Sequence, residues 1–273
     1  MILRPEGLRL LAHLRQLFRY RALIQSLVVR ELKARYRGSL LGFLWSFVNP
    51  LLLLLVYTFV FTVVLPGVHP QELQPFALFM FCGILPWTWF SSSLLEASNV
   101  LIAGGNLIRK VLFPAEVLPI VTVLAGLVHF CFGLPILAAF LIYYRVPLVP
   151  ADLLWFPLIV LFQLVLTLGL ALLVSALTVH FRDVRDLLSN LLTLWFFGTP
   201  IIYALSQVPG PIRRFLNLNP FTHLVVSYQE VLFLNGPFAQ WPRLLAVGAG
   251  SLLVFMAGYF VFDRLRDTLA EEV

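Results

Sequence analysis

An uncharged run occupies residues 153–179 and reads LLWFPLIVLFQLVLTLGLALLVSALTV. A helix needs about 20 predominantly apolar residues to cross the hydrocarbon core of a bilayer, so this run is long enough to span it. Its residues do not alternate between apolar and polar, as they would in the strands of a membrane β-barrel. The run therefore predicts a transmembrane helix. Further uncharged runs of this kind occupy residues 40–65, 76–95, 117–144, 187–205 and 244–262.

The composition agrees with a membrane location for the whole chain. Hydrophobic residues make up 60% of the chain and charged residues only 12%. A soluble domain with this composition would expose more apolar surface than it could cover. We therefore predict an all-α integral membrane protein with six transmembrane helices, forming a single domain over residues 1–273.

The basic residues fall mostly on one side of the predicted membrane. Of the 19 basic residues, 15 lie in the segments 1–37, 96–116, 180–186 and 263–273, and four lie in the opposite loops. Loops rich in Lys and Arg stay in the cytoplasm, so both termini are predicted to be cytoplasmic, with 263–273 as a tail. The same loops account for the net charge of +6 without a nucleic-acid partner.

The N-terminal segment 1–37 has the pattern of an amphipathic helix. Leu14, Leu17 and Phe18 fall at helical spacing with arginines between them, which is typical of a helix lying along the membrane interface. One interpretation is an anchor that is attracted to anionic membrane lipids. The other is a docking and gating element at the mouth of a transport pathway.

The segment 206–243, between the fifth and sixth spans, is apolar in part but too short to cross a membrane. Its apolar stretch 221–234 contains Glu230, and turn signals precede it at residues 209–211 and 217–220. A helical hairpin that dips back from the external face fits these facts. An ordinary external loop lying on the lipid headgroups fits them equally well.

Aromatic residues make up 14% of the chain. Most aromatic residues of membrane proteins form belts at the two interfaces, and this explanation covers the majority here. The cluster Trp195-Phe196-Phe197 differs because it lies inside the fifth predicted span, with Tyr57 and Tyr203 also in spans. Such side chains could line a pore along which sugar rings stack and slide.

The sequence has no nucleotide-binding loop, no spacing typical of metal ligands, and no grouping of nucleophile, base and orienting residue. We therefore predict no catalytic residues, no metal site and no cofactor in this chain. A transport pathway of this kind needs an energy source elsewhere.

Several short motifs occur in order along nearly the whole chain. They are RELKARYRGSLLGFLW (30–45) followed by Asn49-Pro50, GILPW (83–87), NLIRKVLFP (106–114), HFRDVRD (180–186), TPIIY (199–203) and Asn219-Pro220. With them the chain resembles the ABC-2-type permeases that export polysaccharides and polyol phosphates.

The resemblance implies a bacterial inner-membrane permease that forms a homodimer and binds two separate ATP-binding cassette subunits, which use ATP and Mg. The implied cargo is a lipid-linked polysaccharide of O-antigen, capsule or teichoic-acid type. It also favours the docking interpretation of the N-terminal helix, together with the first cytoplasmic loop. The residues expected to contact the ATPase are Arg30, Glu31, Lys33, Arg35, Asn106, Arg109, Lys110, Phe113 and Pro114.

Three further sets of residues follow from this hypothesis. The channel would be lined by Tyr57, Trp195, Phe196, Phe197 and Tyr203. The pyrophosphate of the lipid carrier would be received by Arg19, Arg21 and Arg30, since phosphate recognition favours Arg. The external gate would include Asn219, Pro220 and Glu230.

Two alternative functions stay open from the sequence. An ABC-2-type exporter of drugs or simple lipids would share this architecture. A stand-alone channel or secondary transporter would work without an ATPase, but the sequence lacks the paired intramembrane charges that such transporters usually need.

Overall fold

The computed structural model describes residues 20–35, 37–65, 73–105, 114–181, 183–234 and 237–272, with side chains as far as residue 266. Its helices are α1 (Arg21–Arg35), α2 (Trp45–Phe59), α3 (Phe76–Ala103), α4 (Val117–Tyr143), α5 (Pro150–Leu153), α6 (Phe156–His180), α7 (Val184–Phe197), α8 (Gly210–Leu216), α9 (Pro220–Leu232) and α10 (Trp241–Glu272). A 3₁₀ turn, Gly42–Leu44, precedes α2, and a π-helical turn, Val60–Val64, continues it. The predicted all-α fold is confirmed.

Five helical segments within the described residues are long and apolar enough to cross a membrane. They are Gly42–Val64, Phe76–Ala103, Val117–Tyr143, Pro150–His180 and Trp241–Arg266. Each one overlaps a predicted span. The chain is thus a multi-pass membrane protein.

Helix α3 extends further than the sequence indicated. The predicted span ended at Leu95 because the next residue, Glu96, is charged, whereas α3 continues to Ala103. The Glu96 carboxylate pairs with the guanidinium of Arg35 on α1. A paired charge is tolerated near the end of a membrane helix, so the helix continues past it.

The predicted span 187–205 is not one helix. Helix α7 ends at Phe197, and the chain turns through Gly198, Thr199 and Pro200 before the 3₁₀ turn Leu205–Gln207. Proline lacks the N–H needed to continue a helix and clashes with the preceding turn, which explains the break. The 14 residues of α7 rise about 21 Å, less than the thickness of the hydrocarbon core of about 30 Å. The number of six spans stays a prediction.

Helix α3 lies at the centre of the bundle. It packs against α2, α4, α6, α7 and α9, and nearly all its residues from Phe76 to Phe90 are buried. Helices α6 and α10 form the most extensive helix pair and meet at two glycines. A Cβ atom at Gly169 would lie 2.6 Å from the Cα of Phe255, and one at Gly258 would overlap the Gly169 carbonyl. Small residues allow this close approach, as is common where membrane helices cross.

Helices α2 and α7 each leave an apolar face uncovered. The exposed residues of α2 are Leu51, Leu52, Leu55, Val56 and Phe59, and those of α7 are Leu187, Leu191, Leu194 and Phe197. Apolar surface of this extent needs lipid or another protein to cover it.

The predicted hairpin segment contains two helices, α8 and α9, which lie between α7 and α10 in the chain. Every residue of α9 from Phe221 to Gln229 is buried, because the helix packs against α3, α6 and α10. Burial of this kind favours the hairpin interpretation of 206–243 over an external loop on the headgroups. Its re-entrant depth in the bilayer stays a prediction.

Candidate functional site

The side chain of Asn219 joins the end of α7 to the start of α9. Its Oδ1 accepts hydrogen bonds from the backbone N–H of Phe221, at 2.9 Å, and from the indole Nε1 of Trp195, at 2.8 Å. Its Nδ2 donates to the carbonyl of Gly198, at 3.1 Å, and to Oγ1 of Thr199, at 3.0 Å. The amide therefore caps α9 and ties it to the break after α7. The predicted gate residue Asn219 and the predicted channel residue Trp195 are thus joined by a hydrogen bond.

An aromatic cluster surrounds this junction. Trp195 packs edge-on against Phe90 of α3 with ring centroids 5.3 Å apart, and Phe196 lies 5.8 Å from Trp87. Phe221 of α9 completes the cluster, 4.5 Å from Phe90 and 5.1 Å from Trp87. Such offset and edge-to-face pairs add stability beyond the buried area, so the cluster holds α3, α7 and α9 together.

The predicted channel residues therefore occupy different positions. Trp195 and Phe196 are half-buried and face α3, whereas Phe197 is 59% exposed on the outer face of α7. The hydroxyl of Tyr203 donates to the carbonyl of Phe197 at 2.9 Å, which holds the chain after the break close to the helix end. Tyr57 is half-buried on α2 and packs against the main core.

One of the external gate candidates lies at a cavity of about 390 Å³. Glu230 lines it, and its Oε2 accepts hydrogen bonds from the backbone N–H groups of Ala239 and Gln240, both at 3.2 Å. Burial raises the pKa of the Glu230 carboxyl, although the bonds from Gln240 and Ala239 and the charge of Arg243 partly oppose the rise. Asn219 and Pro220 sit instead at the other end of α9. The structure does not bring the three gate candidates together.

Arg213 lines the same cavity, and its guanidinium is hydrogen-bonded to backbone carbonyls. It donates to the carbonyl of Ser206 at 2.7 Å and, through two nitrogens, to that of Val208 at 2.9 and 3.2 Å. These bonds close the turn between α7 and α8. Arg213 thus acts locally as a structural residue of the hairpin.

His223 fixes the hairpin from α9. Its Nε2 lies 2.9 Å from the carbonyl of Asn217, so this nitrogen carries the proton and donates. Its Nδ1 is buried and has no hydrogen-bond partner among the described residues. Burial, and secondarily Arg243, lowers the pKa of the imidazole, while the bond to Asn217 opposes this.

The docking candidates on α1 are exposed where the structure describes them. Arg30, Glu31 and Lys33 are all exposed, and Arg21 is exposed at the start of the helix. The opposite face of α1 packs on α4, where Leu27 joins a small core with Val117 and Val121. The helix thus presents charge outward while it is fixed to the bundle. Arg19, Asn106, Arg109, Lys110 and Phe113 lie outside the described residues.

The residues that follow the predicted docking loop are fixed by a second ion pair. Pro114 is buried, and two residues later Glu116 is only 5% exposed, just before α4 begins. Its carboxylate lies 3.7 Å from the guanidinium of Arg266 on α10. This contact links the end of the predicted docking loop to the last helix.

Sequence reasoning missed Glu96, Glu116 and the bond between Trp195 and Asn219. The Asn219-Pro220 pair does signal a helix start, because Asn is a preferred N-cap and Pro fits the first turn. Pairing between distant helices has no comparable signal in a single sequence.

Comparison with known proteins agrees with this architecture. The family model of the ABC-2 type transporter matches residues 22–233, and the chain belongs to this family. The chain is 43% identical to the O-antigen export system permease protein RfbA of Myxococcus xanthus, over 95% of this chain and 98% of that protein. It is 31% identical to the protein of the same name from Klebsiella pneumoniae, over 89% and 91% of the two chains. It is 24% identical to the polysialic acid transport protein KpsM of Escherichia coli, over 90% and 94%. The resemblance found in the sequence is confirmed.

Proposed function

We propose that this chain is the permease subunit of an ATP-driven exporter that moves lipid-linked polysaccharide across the inner membrane. The similarity to O-antigen export permeases over nearly the full length of both chains carries this proposal. The cargo is of O-antigen, capsule or teichoic-acid type. ATP and Mg are used by two separate cassette subunits, and the permease supplies the pathway.

The pathway forms between two copies of the chain. The uncovered apolar faces of α2 and α7 supply the surfaces that meet in the homodimer. Within that channel Phe197 offers an exposed aromatic face, while Tyr57 and Tyr203 offer hydroxyl groups. Each ring of Trp195 and Phe196 lines the channel with one edge, while its other edge packs against α3. Aromatic faces and hydroxyls bind sugars weakly enough for a polymer to slide.

The docking surface lies on α1 and on the loop that ends at Pro114, on the cytoplasmic side with both termini. Arg30, Glu31 and Lys33 project away from the bundle, which suits contact with a cassette subunit. Arg35 and Glu116 then transmit movement, because they pair with α3 and α10. Helices that are joined by charge-assisted hydrogen bonds move together when a partner subunit closes.

The lipid carrier is received by arginines that lie on α1 and just before it. Arg21 and Arg30 are exposed on this helix, and Arg19 precedes it. A guanidinium can bond a phosphate with two parallel N–H donors, which suits a pyrophosphate. At the opposite side Asn219, Pro220 and Glu230 set the position of α9 and thereby the width of the external gate.

The test is co-purification of the chain with its cassette subunit, followed by measurement of ATP turnover in lipid with and without lipid-linked polysaccharide. Stimulation of turnover by the polymer is the expected result. A complex that is indifferent to the polymer would instead indicate an exporter of drugs or simple lipids, and absence of a complex would indicate an ATPase-independent channel. Arg30→Gln should weaken the complex, whereas Arg264→Gln, an exposed arginine on α10, serves as the charge-matched control.

A further inference from the structure

A second cavity, of about 450 Å³, lies between α1, α2, α3 and α4. Its volume is within the range of about 300–1,000 Å³ that is typical of small-molecule sites. Asn49 of α2 and Thr88 of α3 are exposed although they line it, so the cavity reaches the protein surface. It is separate from the outer face of α7 and from the cavity lined by Glu230.

The lining changes from polar to apolar along the bundle axis. The chain direction of α2 and α3 places the following residues at the α1 end of the cavity: Arg35, Trp45, Ser46 and Ser92. Asn49, Thr88 and His129 occupy the middle. The deep end is lined by Leu53, Phe81, Ile84, Leu85 and Phe130. This gradient matches an amphiphile whose polar head lies at the interface and whose chain points into the bilayer.

At the polar end of the cavity, the guanidinium of Arg35 has N–H donors beyond the one that it uses to bind Glu96. A guanidinium has five N–H donors, and the bond from Arg35 to Glu96 uses one side of the group. Arginine can bridge a carboxylate and a phosphate because its planar fork presents two edges. Ser92 and Trp45 lie at the same level and add a hydroxyl and an indole N–H to the head region.

We propose that this cavity binds one lipid of net negative charge, with its phosphate against Arg35 and one hydrocarbon chain between Leu53, Ile84 and Phe130. The occupant is either an anionic phospholipid of the leaflet in which α1 lies or a polyprenyl phosphate, since both combine an uncompensated phosphate charge with a long apolar chain. The site does not depend on the nature of the exported cargo. Because Arg35 belongs to α1 and the chain contacts α2 and α3, the bound lipid would fix the docking helix to the bundle.

The experiment is native mass spectrometry of the purified protein in detergent, titrated separately with phosphatidylglycerol, phosphatidylcholine of the same acyl chains, and a polyprenyl phosphate. We expect the anionic phospholipid to bind at least tenfold more tightly than the zwitterionic one, a difference of about 1.4 kcal/mol. Arg35→Gln should abolish this preference. Arg37→Gln, which removes a nearby charge that does not line the cavity, should leave it intact.

Two further variants separate binding from simple structural damage. Glu96→Gln removes the ion pair but keeps the Arg35 cation, so anionic lipid should bind as tightly as before or more tightly. Thr88→Trp fills the middle of the cavity and should weaken the binding of every lipid tested. If Glu96→Gln loses the preference as fully as Arg35→Gln, Arg35 acts only through its ion pair and the proposal is wrong.

The lipid titrations also identify the occupant. Displacement of phosphatidylglycerol by polyprenyl phosphate at lower concentration supports the carrier as the natural ligand, and the reverse order supports a phospholipid. Equal binding of anionic and zwitterionic lipids, or equal behaviour of Arg35→Gln and Arg37→Gln, would overturn the proposal. None of these readouts requires transport or ATP turnover, so failure here is distinct from failure of the proposed function.

Discussion

Replacing Asn219 with Ala should destabilise the junction of α7 and α9. The side chain makes four hydrogen bonds, two as acceptor and two as donor. Alanine removes them all without adding bulk. The variant Asn219→Ala therefore isolates the polar contribution of one amide to the contact between the break after α7 and the start of α9.

The magnitude follows from the individual contacts. Loss of an N-cap costs about 1 kcal/mol. The Trp195 indole N–H, half-buried against α3, loses its partner at a cost of about 1 kcal/mol or more. The bonds to Gly198 and Thr199 add about 1 kcal/mol together, since water can reach part of this site. The sum is about 3 kcal/mol, which corresponds to a fall in Tm of about 6–12 °C for a chain of this size.

The assay is the fraction of detergent-solubilised protein that stays monodisperse on size-exclusion chromatography after heating, with tryptophan fluorescence as a second readout. Asn190→Ala, an exposed Asn on the same helix α7, is the matched control. Asn219→Asp keeps both accepted hydrogen bonds and loses both donated ones. Its Tm should therefore lie between those of Asn219→Ala and Asn190→Ala. Equal Tm values for Asn219→Ala and Asn190→Ala would refute the junction as a stabilising element.

Three further outcomes are expected. Burial lowers the pKa of His223 in the folded protein. The stability of the folded state that depends on neutral His223 is therefore fully present above the unfolded pKa of about 6.5 and is lost as the pH falls toward the lowered folded value. Tm should drop between pH 7 and 5, and His223→Gln should reduce this drop. Gly258→Val should lower Tm or prevent folding because its side chain would overlap the Gly169 carbonyl, whereas Gly250→Val on the same helix meets open space and should fold; equal behaviour would contradict the close approach. Phe197→Cys in a Cys131→Ala background should form a disulfide-linked dimer in membranes if the exposed face of α7 meets a second copy. Leu154→Cys, which is exposed but does not belong to α7, should not.

The sequence predicted the membrane helices well because long apolar runs have few alternative structures in lipid. It was less accurate where a local signal competed with that rule. The charge of Glu96 led to a predicted end of α3 that is too early, because its partner Arg35 is distant in sequence. The motif Gly198-Thr199-Pro200 ends α7 at Phe197, so the predicted fifth span 187–205 is not one helix.

The candidate site could be predicted only in part. The aromatic cluster was recognised from its residues, yet the direction of each ring depends on how α7 is rotated, and uniform apolar spans do not fix rotation. Trp195 therefore faces α3, while its neighbour Phe197 faces outward. Contacts such as that of Asn219 with Trp195 depend on the tertiary arrangement and have no periodic signature.

The contacts of α3 connect α1 with the aromatic junction of α7 and α9. Glu96 binds α1, and Trp87 contacts α7 and α9, about 14 Å away along the same uninterrupted helical segment. Immediately before Trp87, Pro86 cannot donate a helical hydrogen bond, and its carbonyl accepts one from the fully buried Gln163 at 2.8 Å. The weakest point of α3 therefore lies next to the aromatic cluster. Displacement of α1 would tilt the segment from Trp87 to Ala103 about this point, which moves Trp87 against Phe196 and Phe221 rather than bending the helix between the two sites.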